Sequence, residues 1–246
     1  MIFIRLEQLG SGITAIVSDK HSFGTDALLL AYFATPKPAE KVCDLGTGCG
    51  IIPLLWCRDK RQKNITAIDI QPDACEQVQK AIELNSIENT LEVINADLRE
   101  LKGVVPFGVF DTVTMNPPYK AANAGKKSAD NSALIARHEV MCNLDDILLS
   151  AKKLLKFSGR FCLCHRPERL GDIFCLMRKH SIEPKRLRLV CRYEGVAPWL
   201  VLVEGRKGGK PGLKIEPSFI IMQGEDYSEE MKKVYGEYLD STEQNK

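Results

Sequence analysis

The chain has 246 residues, 44% of them hydrophobic and 27% charged, which is enough for one substantial core in an ordinary globular protein. A formal net charge of +2 is too small to argue for nucleic acid by itself. No apolar run is long enough to span a bilayer and the first residues lack a charged-then-apolar leader, so a cytoplasmic protein with no membrane partner is expected.

Met1 to Lys20 carries short β-like runs around Gly10-Ser11-Gly12. Phe23-Gly24-Thr25-Asp26 then precedes an apolar helix ending near Phe33, for which Thr25 or Asp26 is a good N-cap. The helix is apolar on nearly all sides and is expected to pack under the domain formed by the later residues. Lys41 to Leu55 reads as strand, glycine-rich turn and apolar helix. Its spacing, Asp44-Leu-Gly46-Thr47-Gly48-Cys-Gly50, lets backbone approach a ligand closely and presents a helix N-terminus to it. A nicotinamide fingerprint needs glycine where Ile51 stands, so that match is imperfect.

Ile65 to Asp69 is the next strand, and it ends in an acid placed to accept from ribose hydroxyls. A helix over Gln71 to Asn85 and a strand over Leu91 to Ile94 lead to Asp97-Leu98. There the acid can accept from an amino group while Leu98 lies against a ring. Each acid alone reads equally well as a cap or turn residue. Three strand-end acids and a glycine turn in one order are harder to reach by accident, and ligands of open α/β sheets sit outside the carboxyl ends of the strands.

The most specific stretch is Phe110 to Tyr119, a β-branched run that stops at Asn116-Pro117-Pro118-Tyr119. Neither proline can donate to a sheet ladder, and Pro117 bars Asn116 from the α region. The Asn116 side-chain oxygen and the Pro117 carbonyl can therefore hold the two N–H groups of a planar conjugated amine, with Tyr119 stacked on its plane. Such positioning can supply roughly 7–11 kcal/mol of barrier reduction without a general base. A rigid turn after a strand is the plainer reading of the same residues.

Residues 121–132 read as a polar loop after the turn, a candidate lid, and Lys120, Lys126 and Lys127 are candidate substrate contacts. A helical region opens at Ala136-Arg137-His138-Glu139 and runs to about Phe157, with His138 as a capping or packing residue. A strand over Phe161 to Cys164, a helix over Arg166 to His180, and strands over Leu187 to Cys191 and Trp199 to Val203 come next. The nine cysteines lack regular spacing and read as reduced core thiols; Cys162-Leu163-Cys164 alternates across a strand and is no metal knuckle, so no metal is expected. Between Lys152 and Lys214 stand sixteen basic residues and five acids. In that half Arg206, Lys207 and Lys210 lie in a glycine-rich loop and are candidate phosphate contacts, or simply a solvated hairpin. A solvated helix is expected over Ser228 to Leu239.

Asp44-Leu-Gly-Thr-Gly-Cys-Gly50, Asp69-Ile70, Asp97-Leu98 and Asn116-Pro-Pro-Tyr119 resemble class I S-adenosylmethionine-dependent methyltransferases that act on amines, of the small methyltransferase domain group. Phe23 to Leu30, Arg137-His-Glu139 and Gly224 to Glu230 make the chain similar to bacterial tRNA(Val) adenine-N(6)-methyltransferases. The resemblance implies an α/β fold: a doubly wound seven-stranded sheet, mostly parallel, with the last strand antiparallel. It implies a single compact domain, with residues 1–35 an N-terminal extension on a methyltransferase domain of 36–246. The cofactor would be S-adenosylmethionine, its methionine end near Asp44, Gly46, Thr47, Gly48 and Gly50, its ribose at Asp69 and Ile70, its adenine at Asp97 and Leu98. Thr25 and Asp26 would lie near that site, and the partner would be RNA at a tRNA anticodon loop. Protein-glutamine and guanine-N(2) methyltransferases share close variants of these motifs, and a binding module that kept the fold stays open as well.

Overall fold

The structure is a computed structural model describing residues 4–59, 64–118 and 143–238. An antiparallel hairpin, β1 (Ile4–Gly10) and β2 (Ile13–Ser18), comes first, followed by helix α1 (Thr25–Ala34). The central units are β3 (Val42–Leu45), α2 (Ile51–Arg58), β4 (Ile65–Asp69), α3 (Pro72–Asn85), β5 (Leu91–Asn95) and β6 (Phe110–Met115). Helix α4 (Leu144–Leu154), β7 (Leu155–His165), α5 (Leu170–Lys179), β8 (Ile182–Cys191) and β9 (Leu200–Lys207) complete the large sheet. Two-residue strands β10 (Lys214–Ile215) and β11 (Phe219–Ile220) extend its β8 edge; a small hairpin of β12 (Met222–Gln223) and β13 (Asp226–Tyr227) precedes helix α6 (Glu229–Tyr235).

The sheet order is β10-β8-β9-β7-β6-β3-β4-β5. Strands β5, β4, β3, β6 and β7 are parallel, and β9 runs antiparallel to both β7 and β8. The expected doubly wound sheet with an antiparallel last main strand is thus present, broadened by the short strands at one edge. Side chains alternate across it, as strand geometry requires. Cys162 and Cys164 join a core with α1, α2 and α3, while Phe161 and Leu163 face a second core with α4 and α5. All eight described cysteines are free thiols, and only Cys175 is exposed.

Some boundaries differ from those the sequence suggests. Leu155 to Gly159 are strand, not the end of a helix: α4 stops at Leu154 and Leu155 turns extended. The cap of α1 is Gly24, with no side-chain cap bond, so Thr25 and Asp26 are the first two helical residues and not its cap. The helix expected over Ser228 to Leu239 is α6, Glu229–Tyr235, which buries Met231 and Val234 and is capped by the Ser228 hydroxyl accepting from the Met231 N–H (3.1 Å).

Candidate active site

At the carboxyl ends of β3, β4, β5 and β6 lies a cavity of about 410 Å³. It exists because four parallel strands stop at one level and their following loops splay apart. Of the residues singled out in the sequence, it brings together Asp26, Gly46, Gly48, Asp69, Ile70, Asp97, Leu98, Asn116, Pro117 and Pro118. Tyr119, Lys120, Lys126, Lys127 and Arg137 to Glu139 lie outside the described residues.

Asp69, 4% exposed, ends β4. Its Oδ2 accepts from the Gly48 N–H (2.8 Å) and its Oδ1 from the Gln71 N–H (2.9 Å), which ties the glycine turn to the next strand. Gly48 holds φ +56°, and a Cβ there would meet nothing within 4 Å; it would point into open space. Backbone, not side chain, therefore forms that wall. Asp97 caps a short 3₁₀ turn by accepting from the Arg99 N–H (2.9 Å), and the Arg99 guanidinium beside it holds its carboxyl below the usual carboxylate range.

Asn116 is held at both ends of its amide. Its Nδ2 donates to Asp26 Oδ2 (3.0 Å), and its Oδ1 lies 3.0 Å from Cys164 Sγ. A carboxylate oxygen accepts, so the amide nitrogen must face Asp26 and the oxygen must face away. A carbonyl oxygen has two lone pairs, so a weak thiol contact leaves one for a ligand. The sequence marks Cys164 only as a core thiol; the signal for its place beside Asn116 is its position on β7, whose Leu163 pairs with Met115 just before Asn116. Gln71, Ala96, Ile68 and Met115 also line the cavity unforeseen.

Several candidates sit elsewhere. Asp44 is 1% exposed and lies behind the wall, accepting from the Thr114 hydroxyl (2.6 Å). Burial raises its pKa to about 7 against the pull of Thr114 and Thr47. Asp44, Thr47 and Gly50 do not line the cavity, and Gly50 instead lets α2 approach Val78. Thr25 lines a different cavity. Arg206, Lys207 and Lys210 follow β9 to the amino-terminal edge of the parallel strands, because β9 is antiparallel. There Lys207 Nζ donates to the Lys152 and Leu155 carbonyls (2.7 and 2.6 Å). These three residues therefore do not line the cavity at the carboxyl ends.

The class of protein follows from the ligand this cavity suits. Acidic Asp26, Asp69 and Asp97 on its polar side match a diol and a cation; Ile68, Ile70, Ala96 and Leu98 offer a flat apolar slot for a ring. Those demands fit S-adenosylmethionine, and the protein is a methyltransferase that uses it. The TRM5/TYW2 methyltransferase domain family matches residues 31–156, just over half of the chain, and the chain belongs to that family. It is 29% identical over 213 residues to a protein of Parabacteroides distasonis named tRNA1(Val) (adenine(37)-N6)-methyltransferase, covering 86% of this chain and 87% of the relative. It is 26% identical over 189 residues to one of the same name from Porphyromonas gingivalis, covering 74% and 73%. Among solved structures, a predicted O-methyltransferase of Agrobacterium tumefaciens superimposes with a TM-score of 0.68 at 20% identity, covering 85% of this chain and 95% of that one. An S-adenosylmethionine-dependent methyltransferase of Aquifex aeolicus does so at 0.53 and 15% identity, covering 74% and 89%. These two likenesses concern the fold. Among the described residues no helix is long and apolar enough to cross a membrane, and no cluster of His, Cys, Asp or Glu can hold a metal ion.

Proposed function

We infer that the protein methylates the exocyclic amino nitrogen of an adenine in RNA, most specifically the adenosine beside the anticodon of a tRNA. The observation that carries this reading is the fixed Asn116 amide at the mouth of the cavity, oriented by Asp26, with Pro117 next to it. The names of the relatives from Parabacteroides and Porphyromonas support the substrate class.

S-adenosylmethionine, when bound, supplies an electrophilic methyl carbon. The chain's own residues do the rest by position. Asn116 Oδ1 and the Pro117 carbonyl accept from the two N–H groups of the adenine, which draws its nitrogen lone pair out of conjugation and toward the cavity. Asp26 keeps the amide from flipping, since a flipped amide would turn its oxygen, an acceptor, toward the acceptor oxygen of the carboxylate. No side chain near the nitrogen is needed as a base, because its proton can leave after attack. His165, one residue beyond Cys164, has its pKa lowered to about 4 by burial and by Arg169 and Arg166, and its Nδ1 accepts from the Arg166 N–H. It stays neutral near pH 7 and is a scaffold for that loop. Cofactor contacts fall to Asp69 and Ile70 for the ribose and Asp97 and Leu98 for the adenine ring.

A target base must leave its stack, which costs a few kcal/mol and least in a single-stranded loop. The test is incubation with methyl-labelled cofactor and total tRNA, followed by nucleoside mass spectrometry. Methylated adenosine is expected. Label confined to protein, or to guanosine, overturns the reading.

A further inference from the structure

The carboxyl edge of the sheet does not end at Asn116. Cys164 and His165 end β7 at that level, and His165 pairs with Val201 of β9. Trp199 enters β9 at the same edge, its N–H donating to the Val190 carbonyl (3.0 Å). The chain after β11 arrives there too: the Ile221 N–H donates to Cys191 and the Met222 N–H to Arg192 (3.0 and 2.8 Å). Between these segments and the start of α1 lies a second cavity of about 490 Å³, lined by Thr25, Arg192, Trp199, Ile221, Tyr227 and Tyr235, among others. Consecutive residues of one helical turn thus serve two cavities, Asp26 the first and Thr25 the second.

Its chemistry is that of a flat ring with polar edges. Tyr227 and Tyr235 pack at 5.0 Å between centroids, tilted by 53°. Thr25, Tyr227 and Tyr235 line this space together, so hydroxyl-bearing side chains from three segments of the chain surround it. The Arg166 guanidinium stands 6.0 Å over the Trp199 ring, and Arg192 is exposed at the rim. The nearby acids Asp226 and Glu229 are already paired with Lys232 (2.8 and 3.2 Å). Tyr193 and Val196, on the loop between β8 and β9, remain 39% and 45% exposed. Aromatic faces beside arginines are how single-stranded nucleic acid is held, each stacked base contributing about 1–3 kcal/mol.

We propose that this second cavity takes the base of an unstacked nucleotide neighbouring the target adenosine, stacked on Trp199 with its phosphate toward Arg192. This rests on the acceptor being RNA. It explains how a chain with a net charge of only +2 would grip a loop: the basic loop at Arg206 faces the wrong edge, whereas this cavity adjoins Asn116 through α1.

The protein contains two tryptophans, Trp56 and Trp199, and Trp56 is buried in the core. In a Trp56→Phe background, the emission of Trp199 is read while an anticodon stem-loop RNA with an unmodified adenosine beside the anticodon is titrated in. Quenching is expected on binding. Trp199→Ala in the otherwise native chain should weaken that RNA about ten- to hundredfold, and Trp199→Phe should restore most of the affinity. RNAs with a single abasic position should reveal one site besides the target whose loss weakens the native protein but adds nothing to Trp199→Ala. If native protein binds RNA while Trp199 emission is unmoved and Trp199→Ala binds equally well, the second cavity is not a base site and the RNA reading stands. If native protein binds no RNA and instead shows Trp199 quenching with a glutamine-bearing peptide, both inferences fall together.

Discussion

Asn116 and Asp69 divide the work of the first cavity between acceptor and cofactor, and single substitutions should separate them. Asn116→Ala should lower kcat about a hundredfold or more while S-adenosylmethionine affinity, read by calorimetry, stays nearly unchanged. Equal loss in both would mean that the turn is only structural. Asp69→Ala should mainly weaken cofactor binding, since it removes a carboxylate facing the cavity and also frees the Gly48 N–H that now holds the glycine turn. Unchanged affinity would remove the ribose assignment. Asp44 gives a different readout. A carboxyl whose pKa rises from 3.8 to about 7 on folding keeps its proton longer in the folded state. Its contribution to stability is therefore fullest below pH 3.8 and is lost as pH climbs toward 7. In ligand-free protein, the Tm of Asp44→Asn relative to the native chain should rise across that window. A difference that does not change with pH would show that Asp44 does not titrate there.

At the scale of elements, the turn from β3 into α2 is set by backbone as much as by chemistry. Gly50 sits at φ +76°, and a Cβ on it would lie 2.9 Å from Val78 Cγ2 of α3. Gly50→Ala should therefore destabilise by roughly 1–3 kcal/mol, which lowers Tm by roughly 2–12 °C in a chain this long. Adding Val78→Ala should recover only the steric part. A native Tm for the single variant would show that the turn tolerates a side chain. Elements of this kind were the readable part of the sequence: Ile65–Asp69 and Pro72–Asn85 stand almost where strand alternation and helix periodicity put them. That Gly46, Gly48, Asp69, Asp97 and Asn116 come to one cavity was readable for the same reason, because local spacing puts them at strand ends, whereas the burial of Asp44 was not. Which way Thr25 faces, the thiol of Cys164 beside Asn116, and the meeting of Trp199 with Tyr227 and Tyr235 were not, because they depend on which strands become neighbours. The edge at which Arg206 lies was hidden for the same reason, since a basic stretch carries no mark of where an antiparallel strand delivers it.

Across the whole molecule, Arg160 joins segments far apart in the chain. It donates to the Ala34 carbonyl at the end of α1 (3.1 Å), to Glu40 (3.0 Å), to Thr112 of β6 (2.9 Å) and to Glu204 of β9 (3.3 Å). Its side chain is 14% exposed, so removing it leaves two largely desolvated carboxylates short of a partner. Glu204 keeps Arg186 (3.1 Å), but Glu40 loses its described cation. Arg160→Met should cost about 3–5 kcal/mol in denaturant unfolding. A loss under about 1 kcal/mol would mean that the network is dispensable. The order of the sheet has one more consequence, for biogenesis. Strand β9 is the last long strand to leave the ribosome, yet it fills the gap between β7 and β8. A nascent chain halted before Leu200 would carry two bare strand margins flanking an empty lane, each a template for another copy. Synthesis thus passes through an interval in which chaperones, and not the protein's own hydrogen bonding, must guard those margins until the missing strand slides home.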